Sequence, residues 1–288
     1  MKKLIDNLTI IIVLYQEKED VVIECLKNIK NFKIIIIDND NDLSLKKNIL
    51  KDFVIYQYIT NKKNIGFTKA ANIAINLAKT EYILNLNADC VIEEKDIFNL
   101  ILSHEKYKNC FIISPTLYSD KDKVSYNAGT FSNKKLEREI LLFDGDVCVD
   151  WVLGSAVLFK KKDIQKLGML DENYFLYFED EDICIKAREN KMSVIQVKNC
   201  KARHIHGKIK GRSILKNIYL RNYNFTYDEL YYYYKNYKQK DIYLDLKKKI
   251  FPYIFKMILN LVILKLSKSI YYFSRLKAFF DFSKNFKI

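Results

Sequence analysis

Residues 8–38 read LTIIIVLYQEKEDVVIECLKNIKNFKIIIID, and this stretch begins and ends with a run of mostly β-branched apolar residues. Such runs are typical of strands that are buried on both faces of a parallel sheet. Between them Val22, Leu26 and Ile29 recur at helical spacing, with charged residues at other positions. The stretch therefore predicts a strand, a helix and a second strand, which is the repeating unit of a parallel α/β sheet.

The same alternation continues along the chain. DFVIYQYI, EYILNLNAD and CFIISPTLY are predicted strands, and GFTKAANIAINLAKT is a predicted helix between the first two. Beyond residue 150 we expect a strand, a short helix, a loop, a helix that begins in an acidic run, and the strand MSVIQV. The prediction is a doubly wound α/β sheet, which binds ligands at the carboxyl ends of its strands. The sequence contains no G-x-G-x-x-G and no P-loop motif, so neither dinucleotide binding nor a P-loop is indicated.

Composition restricts the class of protein. The chain has 288 residues, 49% of them apolar, which is enough for a substantial core. Its six cysteines form no C-x-x-C pair, which argues against a zinc site. We interpret the start, MKKLIDNLTIIIVLYQ, as a buried first strand and not as a secretory signal, and we expect a cytoplasmic protein with reduced thiols.

The basic charge is confined to the C-terminal third. Residues 201–288 carry 20 Lys/Arg and 5 Asp/Glu, whereas residues 1–200 carry 29 and 30. Such a basic region attracts anionic partners, which include nucleic acid, an anionic membrane and an acidic substrate. Charge alone does not distinguish these partners.

Polar residues follow three of the predicted strands. Tyr15 follows the first, Asp38 and Asn39 end the second, and Asn87 and Asp89 end EYILNLNAD. Asn and Asp are ordinary turn residues after strands. Because the carboxyl ends of neighbouring strands meet at one edge of a sheet, a shared binding pocket is the other interpretation.

A second polar feature is the stretch YFLYFEDEDICIK at residues 174–186, which sets four consecutive carboxylates after an aromatic run. Acidic residues favour the first turn of a helix, where backbone N–H groups lack partners. A carboxylate beside apolar surface is also a candidate for a base or a cation ligand. Both interpretations stay open from the cluster alone.

Several motifs, read in order, resemble those of family 2 glycosyltransferases, most closely the bacterial rhamnosyltransferase-like branch. They are VLYQ, IIIIDNDN, NKKNIGFTKAAN, LNLNADC, DWVLGSAVLFKKKDI, GMLDENYFLYFEDEDICIKAR and HIHGK, and they cover Leu8–Ser213. The resemblance implies a GT-A fold, a Rossmann-like mixed sheet flanked by helices. It also implies inverting transfer of a sugar from a nucleotide diphosphate donor, with dTDP-rhamnose or a UDP-sugar as candidates. The acceptor would be a hydroxyl of a cell-surface glycan precursor or lipid-linked oligosaccharide.

The resemblance further implies a divalent cation, Mg²⁺ or Mn²⁺, with Asp89 and His204 as ligands and His206 as the alternative to His204. The family often has Asp-x-Asp where this chain has Asn87-Ala88-Asp89, so one carboxylate is replaced by an amide. This departure weakens the predicted hold on the metal. It also motivates an alternative function, a catalytically impaired nucleotide-sugar-binding or scaffold protein of a glycan assembly complex.

By resemblance the general base is Asp180, with Glu179 beside it, because the attacking hydroxyl must lose its proton. The expected nucleotide-sugar contacts are Tyr15, Asp38, Asn39, Asn64, Gly66, Asn72, Asn87 and Asp89. The expected donor and acceptor pocket residues are Trp151, Gly154, Ser155, Asp171 and Glu172. Core packing is the alternative for Trp151, and helix capping is the alternative for Asp171 and Glu172.

Residues 216–288 lie outside the resemblance, so we expect a catalytic domain over 1–215 and a basic, aromatic-rich helical extension over 216–288. Lysines among aromatic residues favour helices that lie on an anionic membrane surface, which predicts a peripheral protein at the inner face of the membrane. A helical bundle packed against the catalytic domain is the alternative. Nucleic-acid binding is not expected, because no recognisable module is present.

Overall fold

The predicted alternation of strands and helices is present in the structure, which is a computed structural model. The chain divides into two compact units, Met1–Asp171 with Ile183–Lys210 and Glu172–Asp182 with Gly211–Ile288. The segment Glu172–Asp182 thus belongs to the same unit as the C-terminal helices. The expected division into 1–215 and 216–288 places this segment with the catalytic domain. The structure describes residues 2–119, 123–125, 128–129, 144–205, 214–237, 244 and 247–286.

The first unit contains a mixed sheet and flanking helices. Its strands are β1 (Leu8–Leu14), β2 (Lys33–Asp38), β3 (Gln57–Thr60), β4 (Tyr82–Leu86), β5 (Cys90–Ile92), β6 (Cys110–Tyr118), β7 (Ala128–Gly129), β8 (Val147–Val149), β9 (Trp151–Val152), β10 (Ala156–Lys160) and β11 (Ser193–His204). Its helices are α1 (Lys2–Asp6), α2 (Glu19–Lys27), α3 (Leu43–Asp52), α4 (Phe67–Leu77), α5 (Glu94–Lys106) and α6 (Lys161–Lys166), and α7 (Glu179–Glu189) begins in the other unit.

The sheet order is β3-β2-β1-β4-β10-β6-β11-β5, with β8 also paired to β11. The four strands β3, β2, β1 and β4 run parallel to one another, whereas β10 runs antiparallel to both β4 and β6. The predicted mixed sheet flanked by helices is therefore confirmed. Its parallel half brings the ends of β1, β2 and β4 to one edge.

Alternate residues of the strands enter two separate cores. Ile10 and Ile12 of β1 and Ile34 of β2 lie in the core on one face of the sheet. Ile11 of β1 and Ile35 of β2 lie in the core on the other face. This two-sided burial is the physical reason for the nearly continuous apolar runs, since neither face of these strands is left in water.

Three of the departures from the sequence-based expectation concern where an element begins or ends. Residues 2–6 form helix α1, so the first strand begins only at Leu8. Strand β3 is shorter than DFVIYQYI. Strand β11 is twice as long as MSVIQV, and it extends past an irregular register between Val197 and Lys201 to end at His204. Irregularities of this kind redirect a strand and are invisible to a two-residue periodicity.

The second unit contains helices α8 (Ile214–Tyr237), α9 (Ile250–Val262) and α10 (Leu266–Phe286). Aromatic rings fill the contact between α8 and α10, with ring centroids 6.0 Å apart for Tyr219 and Phe273 and 5.6 Å apart for Tyr227 and Phe282. Some of the aromatic residues, among them Tyr232 and Phe282, are buried, which is the arrangement that the bundle alternative expects. In the described part of the chain, no helix is long and apolar enough to cross a membrane.

Helix α8 holds the aromatic residues that precede the acidic run. Asp228 of α8 is completely buried, and its carboxylate accepts hydrogen bonds from three consecutive backbone N–H groups. The donors are Phe175 at 3.2 Å, Leu176 at 3.0 Å and Tyr177 at 3.1 Å. Burial raises the pKa of Asp228 to about 6, so the group is ionised at neutral pH and these are charge-assisted bonds.

The acidic run itself is fixed by a second set of contacts to α8. Asp182 accepts hydrogen bonds from Lys235 at 2.7 Å and Asn236 at 2.9 Å, and from the Tyr174 hydroxyl at 3.0 Å. The ring of Phe178 packs on Tyr232, with centroids 5.2 Å apart. Residues 174–182 therefore have a defined conformation within the second unit.

We predict that Asp228→Ala destabilises the second unit by about 2 kcal/mol, because three N–H groups lose their acceptor. Chymotrypsin should cleave within Tyr174–Phe178 faster than in the wild type. The matched control is Asp52→Ala, which removes an exposed carboxylate from α3 and should leave cleavage unchanged. Equal cleavage rates for both variants and the wild type would contradict this role of Asp228.

Candidate functional site

Asp89 and His204 meet at the edge of the sheet where β4 ends. Asp89 lies between β4 and β5, and β5 pairs antiparallel with the end of β11, so that His204 lies opposite Cys90. The Ile205 N–H donates to the Asp89 carbonyl at 2.8 Å. Across this pairing the His204 Nε2 lies 3.1 Å from an Asp89 carboxylate oxygen. The long β11 thus joins two residues that are 115 positions apart.

The pair offers one hard and one borderline ligand to a cation. The Asp89 side chain is 23% exposed and the His204 side chain 11%, so both are partly shielded yet reachable. Mg²⁺ is commonly held by one or two carboxylates together with substrate phosphates, and imidazole also suits transition metals. Among the described residues no group of three or more His, Cys, Asp or Glu is arranged to hold a metal. His206, the alternative ligand, lies outside the described residues.

Amide side chains brace the turn that carries Asp89. The Asn87 N–H donates to the Ser155 carbonyl at 2.8 Å, and its side-chain amide lies 3.4 Å from the Ser155 hydroxyl. Asn85 donates to the Gly154 carbonyl at 2.7 Å. Asn87, which stands where the family often has a carboxylate, is therefore linked to the residues that precede β10. The structure brings Gly154 and Ser155 to the end of β4.

Asp38 organises the turn after β2. It is fully buried, and its two carboxylate oxygens accept backbone N–H bonds from Asp40 at 2.8 Å, Asn41 at 3.1 Å and Asp42 at 3.2 Å. The Tyr58 hydroxyl adds a fourth bond at 3.3 Å. These contacts fix the loop conformation, so any contact of Asp38 with a nucleobase would come in addition to its turn-forming bonds.

Asn39, Asn64 and Gly66 form a connected group. Asn39 is buried, and its side chain donates to the Gly66 carbonyl at 3.1 Å and accepts from Asn61 at 2.8 Å. Asn64 accepts from the Gly66 N–H at 2.8 Å. Gly66 has φ of 89°, a conformation that glycine adopts readily and other residues adopt at a cost. This glycine sets the entry of the chain into α4.

Asn72 and Trp151 are held by the interior of the first unit. The Asn72 side chain exchanges two hydrogen bonds with the backbone of Leu170, at 2.9 and 3.2 Å, and so fixes the chain just before Asp171. Trp151 is completely buried and belongs to the core on one face of the sheet. That position matches the core-packing alternative for Trp151, and its role toward a sugar stays a prediction.

In the second unit, Glu179 and Asp180 have different environments. Asp180 is partly exposed, and its carboxylate accepts the Glu181 N–H at 3.0 Å. Glu179 is buried, and this burial, together with the nearby charges of Asp180 and Asp228, raises its pKa well above the usual range. The two neighbouring carboxyl groups therefore differ in exposure, with Glu179 enclosed and Asp180 reaching the surface.

The backbone just before these residues is strained. Phe178 has φ of 69°, a conformation that is unfavourable for a residue with a bulky side chain. Such strain persists where surrounding contacts determine the conformation, and it is concentrated at functional sites. The Phe178 ring packs between Phe225 and Tyr232 of α8, which supplies those contacts. Glu172, at the start of the same segment, is exposed.

Glu17 is a residue that the sequence did not single out. It follows β1, and its carboxylate accepts the Tyr15 N–H, which fixes the backbone of that predicted contact. Burial raises the pKa of Glu17 to about 8, and the charges of Asp89, Asp40 and Asp38 add to this shift. The end of the sheet is therefore a strongly electronegative region. The sequence signal was weak, because Glu17 is one of three acids within four residues.

We predict that Glu17→Gln stabilises the protein at alkaline pH. An unfolded Glu titrates near 4.5 and the folded one near 8, so the wild type loses stability as pH rises through this window. Urea unfolding near pH 9 should show a gain of more than about 1 kcal/mol for the variant, moderated by the partial exposure of Glu17. Near pH 4 the two proteins should be equally stable.

Glu105→Gln, at an exposed position of α5, is the control and should behave like the wild type at both pH values. If Glu17→Gln and the wild type have parallel stability profiles from pH 4 to 9, the raised pKa of Glu17 is wrong.

Comparison with known proteins gives a family and two relatives. The profile of glycosyl transferase family 2 matches residues 9–167, which is more than half of the chain. The low-salt glycan biosynthesis hexosyltransferase Agl10 of Haloferax volcanii is 26% identical over 214 residues, which cover 70% of this chain and 68% of the relative. The rhamnosyltransferase WbbL of Escherichia coli K12 is 28% identical over 204 residues, which cover 61% and 75%.

Two solved structures show the same fold. The structure of GalNAc-T7 with UDP, GalNAc and Mn²⁺ has a TM-score of 0.59 at 14% identity, and the match covers 77% of this chain and 50% of that one. The mannosyltransferase PcManGT from Pyrobaculum calidifontis, in complex with GDP-Man and Mn²⁺, has a TM-score of 0.53 at 14% identity, covering 76% and 62%. This chain thus spans about half the length of the first structure. The expected GT-A fold is confirmed, and the family profile shows that this chain belongs to glycosyl transferase family 2.

Proposed function

We propose that this glycosyltransferase moves a sugar with inversion from a nucleotide diphosphate donor to a hydroxyl of a glycan precursor or lipid-linked oligosaccharide. Use of a nucleotide sugar follows from the family. The observation that carries the proposal is the contact between Asp89 and His204 at the end of β4, within a sheet of the GT-A type. Parallel sheets bind ligands at this end of their strands.

On the donor side, Asp89 and His204 would hold a divalent cation, Mg²⁺ or Mn²⁺. When bound, the cation stabilises the negative charge that develops on the leaving diphosphate. The two residues fit such an ion as a partial set of ligands, with the phosphate oxygens of the donor completing the coordination. The solved structures of PcManGT and GalNAc-T7 both contain Mn²⁺, which supports this assignment.

On the acceptor side, Asp180 is the proposed general base. The hydroxyl oxygen forms a bond to the anomeric carbon as the bond to the diphosphate breaks, and Asp180 takes the hydroxyl proton. The difference in exposure supports this choice, because Asp180 is partly exposed, where an acceptor can reach it, whereas Glu179 is buried and its pKa is raised by that burial.

The donor is proposed to be dTDP-rhamnose or a UDP-sugar, and the site of action the inner face of the cell membrane. The relatives named above include a rhamnosyltransferase and a hexosyltransferase of glycan biosynthesis, which supports this class of donor and acceptor. The roles proposed for Tyr15, Asp38 and Asn64 are to shape the nucleotide pocket. Trp151 and Ser155 are proposed to shape the sugar pocket.

We predict that Asp89→Asn weakens cation-dependent donor binding by about tenfold or more, because one of two protein ligands loses its charge. Thermal shift with a panel of UDP-, GDP- and dTDP-sugars, with Mn²⁺ or with EDTA, measures this effect. Asp52→Asn on α3 is the control and should respond to donor like the wild type. Wild-type protein that binds no nucleotide sugar under any of these conditions would contradict the proposal.

We predict that Asp180→Asn reduces the transfer rate by about 10²–10⁴-fold while donor affinity is kept, since only the proton acceptor is lost. Glu179→Gln is the matched control: the amide has the same size as the buried carboxyl of Glu179, and the proposed base is left in place, so transfer should be largely retained. The readout is release of nucleoside diphosphate in the presence of acceptor.

Equal activity of Asp180→Asn and the wild type would reject Asp180 as the base. If Glu179→Gln abolishes transfer and Asp180→Asn does not, the two roles are exchanged. Donor binding without turnover in the wild type would favour the catalytically impaired alternative, for which Asn87 is the motivating residue.

A further inference from the structure

Helix α9 directs its large apolar side chains away from the protein. One face of the helix, defined by spacings of four, three and four residues, is more than half exposed at Phe251, Phe255, Ile258 and Val262. The buried residue of α9 is the polar Asn260. A helix at a protein–water surface normally has the reverse arrangement, with its apolar side inward.

The inward side of α9 explains why this arrangement persists. Tyr253 packs on Tyr272 of α10, with ring centroids 5.4 Å apart. The Ser269 hydroxyl donates to the Met257 carbonyl at 3.0 Å. Asn260 donates to the Lys256 carbonyl at 2.6 Å. The tyrosine and polar side of α9 thus packs against α10, and the apolar side is left for another surface.

The apolar surface continues beyond the end of α9. In the turn between α9 and α10, Leu264 is 82% exposed and Ile263 is close to half exposed, as is Leu266 at the start of α10. An apolar surface that extends over a helix and the following turn is larger than scattered exposure of single residues. Contiguous exposed apolar patches mark sites of interaction with proteins or membranes.

The charged residues of the segment that contains this patch are all basic. Residues 246–280 contain eight Lys/Arg and no Asp or Glu. Among them Lys247–Lys249 precede α9, and Lys265 and Lys268 follow it, all with exposed side chains. Lysine stems extend along apolar surface and place their ammonium groups at its border, where they reach an anionic layer above the apolar one.

We propose that α9, the turn 263–265 and Leu266 at the start of α10 form a docking surface for an anionic lipid bilayer. The helix would lie in the plane of the interface, with Phe251, Phe255 and Val262 at the acyl boundary and the lysines among acidic headgroups. A helix of 13 residues is about 20 Å long, which is shorter than the roughly 30 Å hydrocarbon core of a bilayer. Helix α9 is therefore long enough to lie on a bilayer but too short to span it.

Charge favours a lipid surface over a second copy of this chain. In a symmetric dimer through this patch, the lysines of one copy would face the lysines of the other, and like-charge contacts are strongly unfavourable. A partner with acidic headgroups supplies the opposite charge. The patch therefore has the two properties of an interfacial anchor, exposed apolar area and surrounding positive charge.

This docking surface is independent of the proposed transfer reaction, because none of its residues belongs to the proposed donor or acceptor site. The first test is co-sedimentation of the full chain with vesicles. Binding to an equal mixture of phosphatidylcholine and phosphatidylglycerol should exceed binding to phosphatidylcholine alone by about tenfold or more and should fall with added salt. Equal binding to both, or to neither, by folded protein would overturn the proposal.

Two pairs of variants separate the apolar and the charged contributions. Phe255→Ser with Val262→Ser should reduce binding to the mixed vesicles by about tenfold or more, whereas Val54→Ser, at an 87% exposed position before β3, should not. Lys265→Gln with Lys268→Gln should reduce binding to mixed vesicles only, whereas Lys51→Gln on α3 should not.

All of these positions are exposed, so folding should be retained and is checked by circular dichroism. Thermal stabilisation by nucleotide sugar should be unchanged in every variant, which separates failure of the docking proposal from failure of the proposed function. Sedimentation velocity without vesicles tests whether a second copy of this chain binds the patch instead. A dimer that dissociates in the Phe255 and Val262 variant, with no vesicle binding by the wild type, would assign the patch to self-association and overturn the proposal.

Discussion

Strand β1 pairs in parallel with β2 on one side and β4 on the other, and alternate side chains of these strands enter two cores. Because parallel strands cannot be joined by a tight turn, the connections between these strands contain helices, and the residues that leave the strands emerge at one edge. The strand pairing places Asp38, Asn87 and Asp89 at this edge, and this placement does not depend on the chemistry of their side chains. The rest of the first unit can be understood as the support of that edge.

Most of the polar residues at this edge bind protein groups as well as offering contacts to a ligand. Asp38 uses both carboxylate oxygens on its own turn, and Asn39 and Asn64 fix Gly66. Such bonds hold a site in one geometry before any ligand arrives, which lowers the entropy lost on binding. The interpretation as turn residues and the interpretation as site residues are therefore compatible, since the residues that shape the pocket are the ones that shape the turns.

The mixed sheet and its flanking helices were predictable from the sequence. A strand that is buried on both faces consists almost entirely of apolar residues, and such a run is easily recognised. The pairing of Asp89 with His204 was predictable only through the family resemblance, since it depends on an irregular extension of β11 that no periodicity indicates. The role of Asp228 could not be predicted. It is one acid within an aromatic helix, and its three partners lie about 50 positions earlier in the chain, where only tertiary packing brings them together. The outward apolar face of α9 was equally hidden, because composition does not tell which side of a helix is covered.

The grouping of Glu172–Asp182 with the C-terminal helices has a consequence for the order of events during synthesis. When Asp182 leaves the ribosome, the residues that bind it and its neighbours, Asp228 and Lys235, have not yet been made. Translation adds about 5–20 residues per second, so this segment waits for several seconds before α8 can organise it. The acidic run of a nascent chain therefore lacks these α8 contacts until α8 has emerged, whereas the strands that form the sheet edge up to Asp89 have already been made.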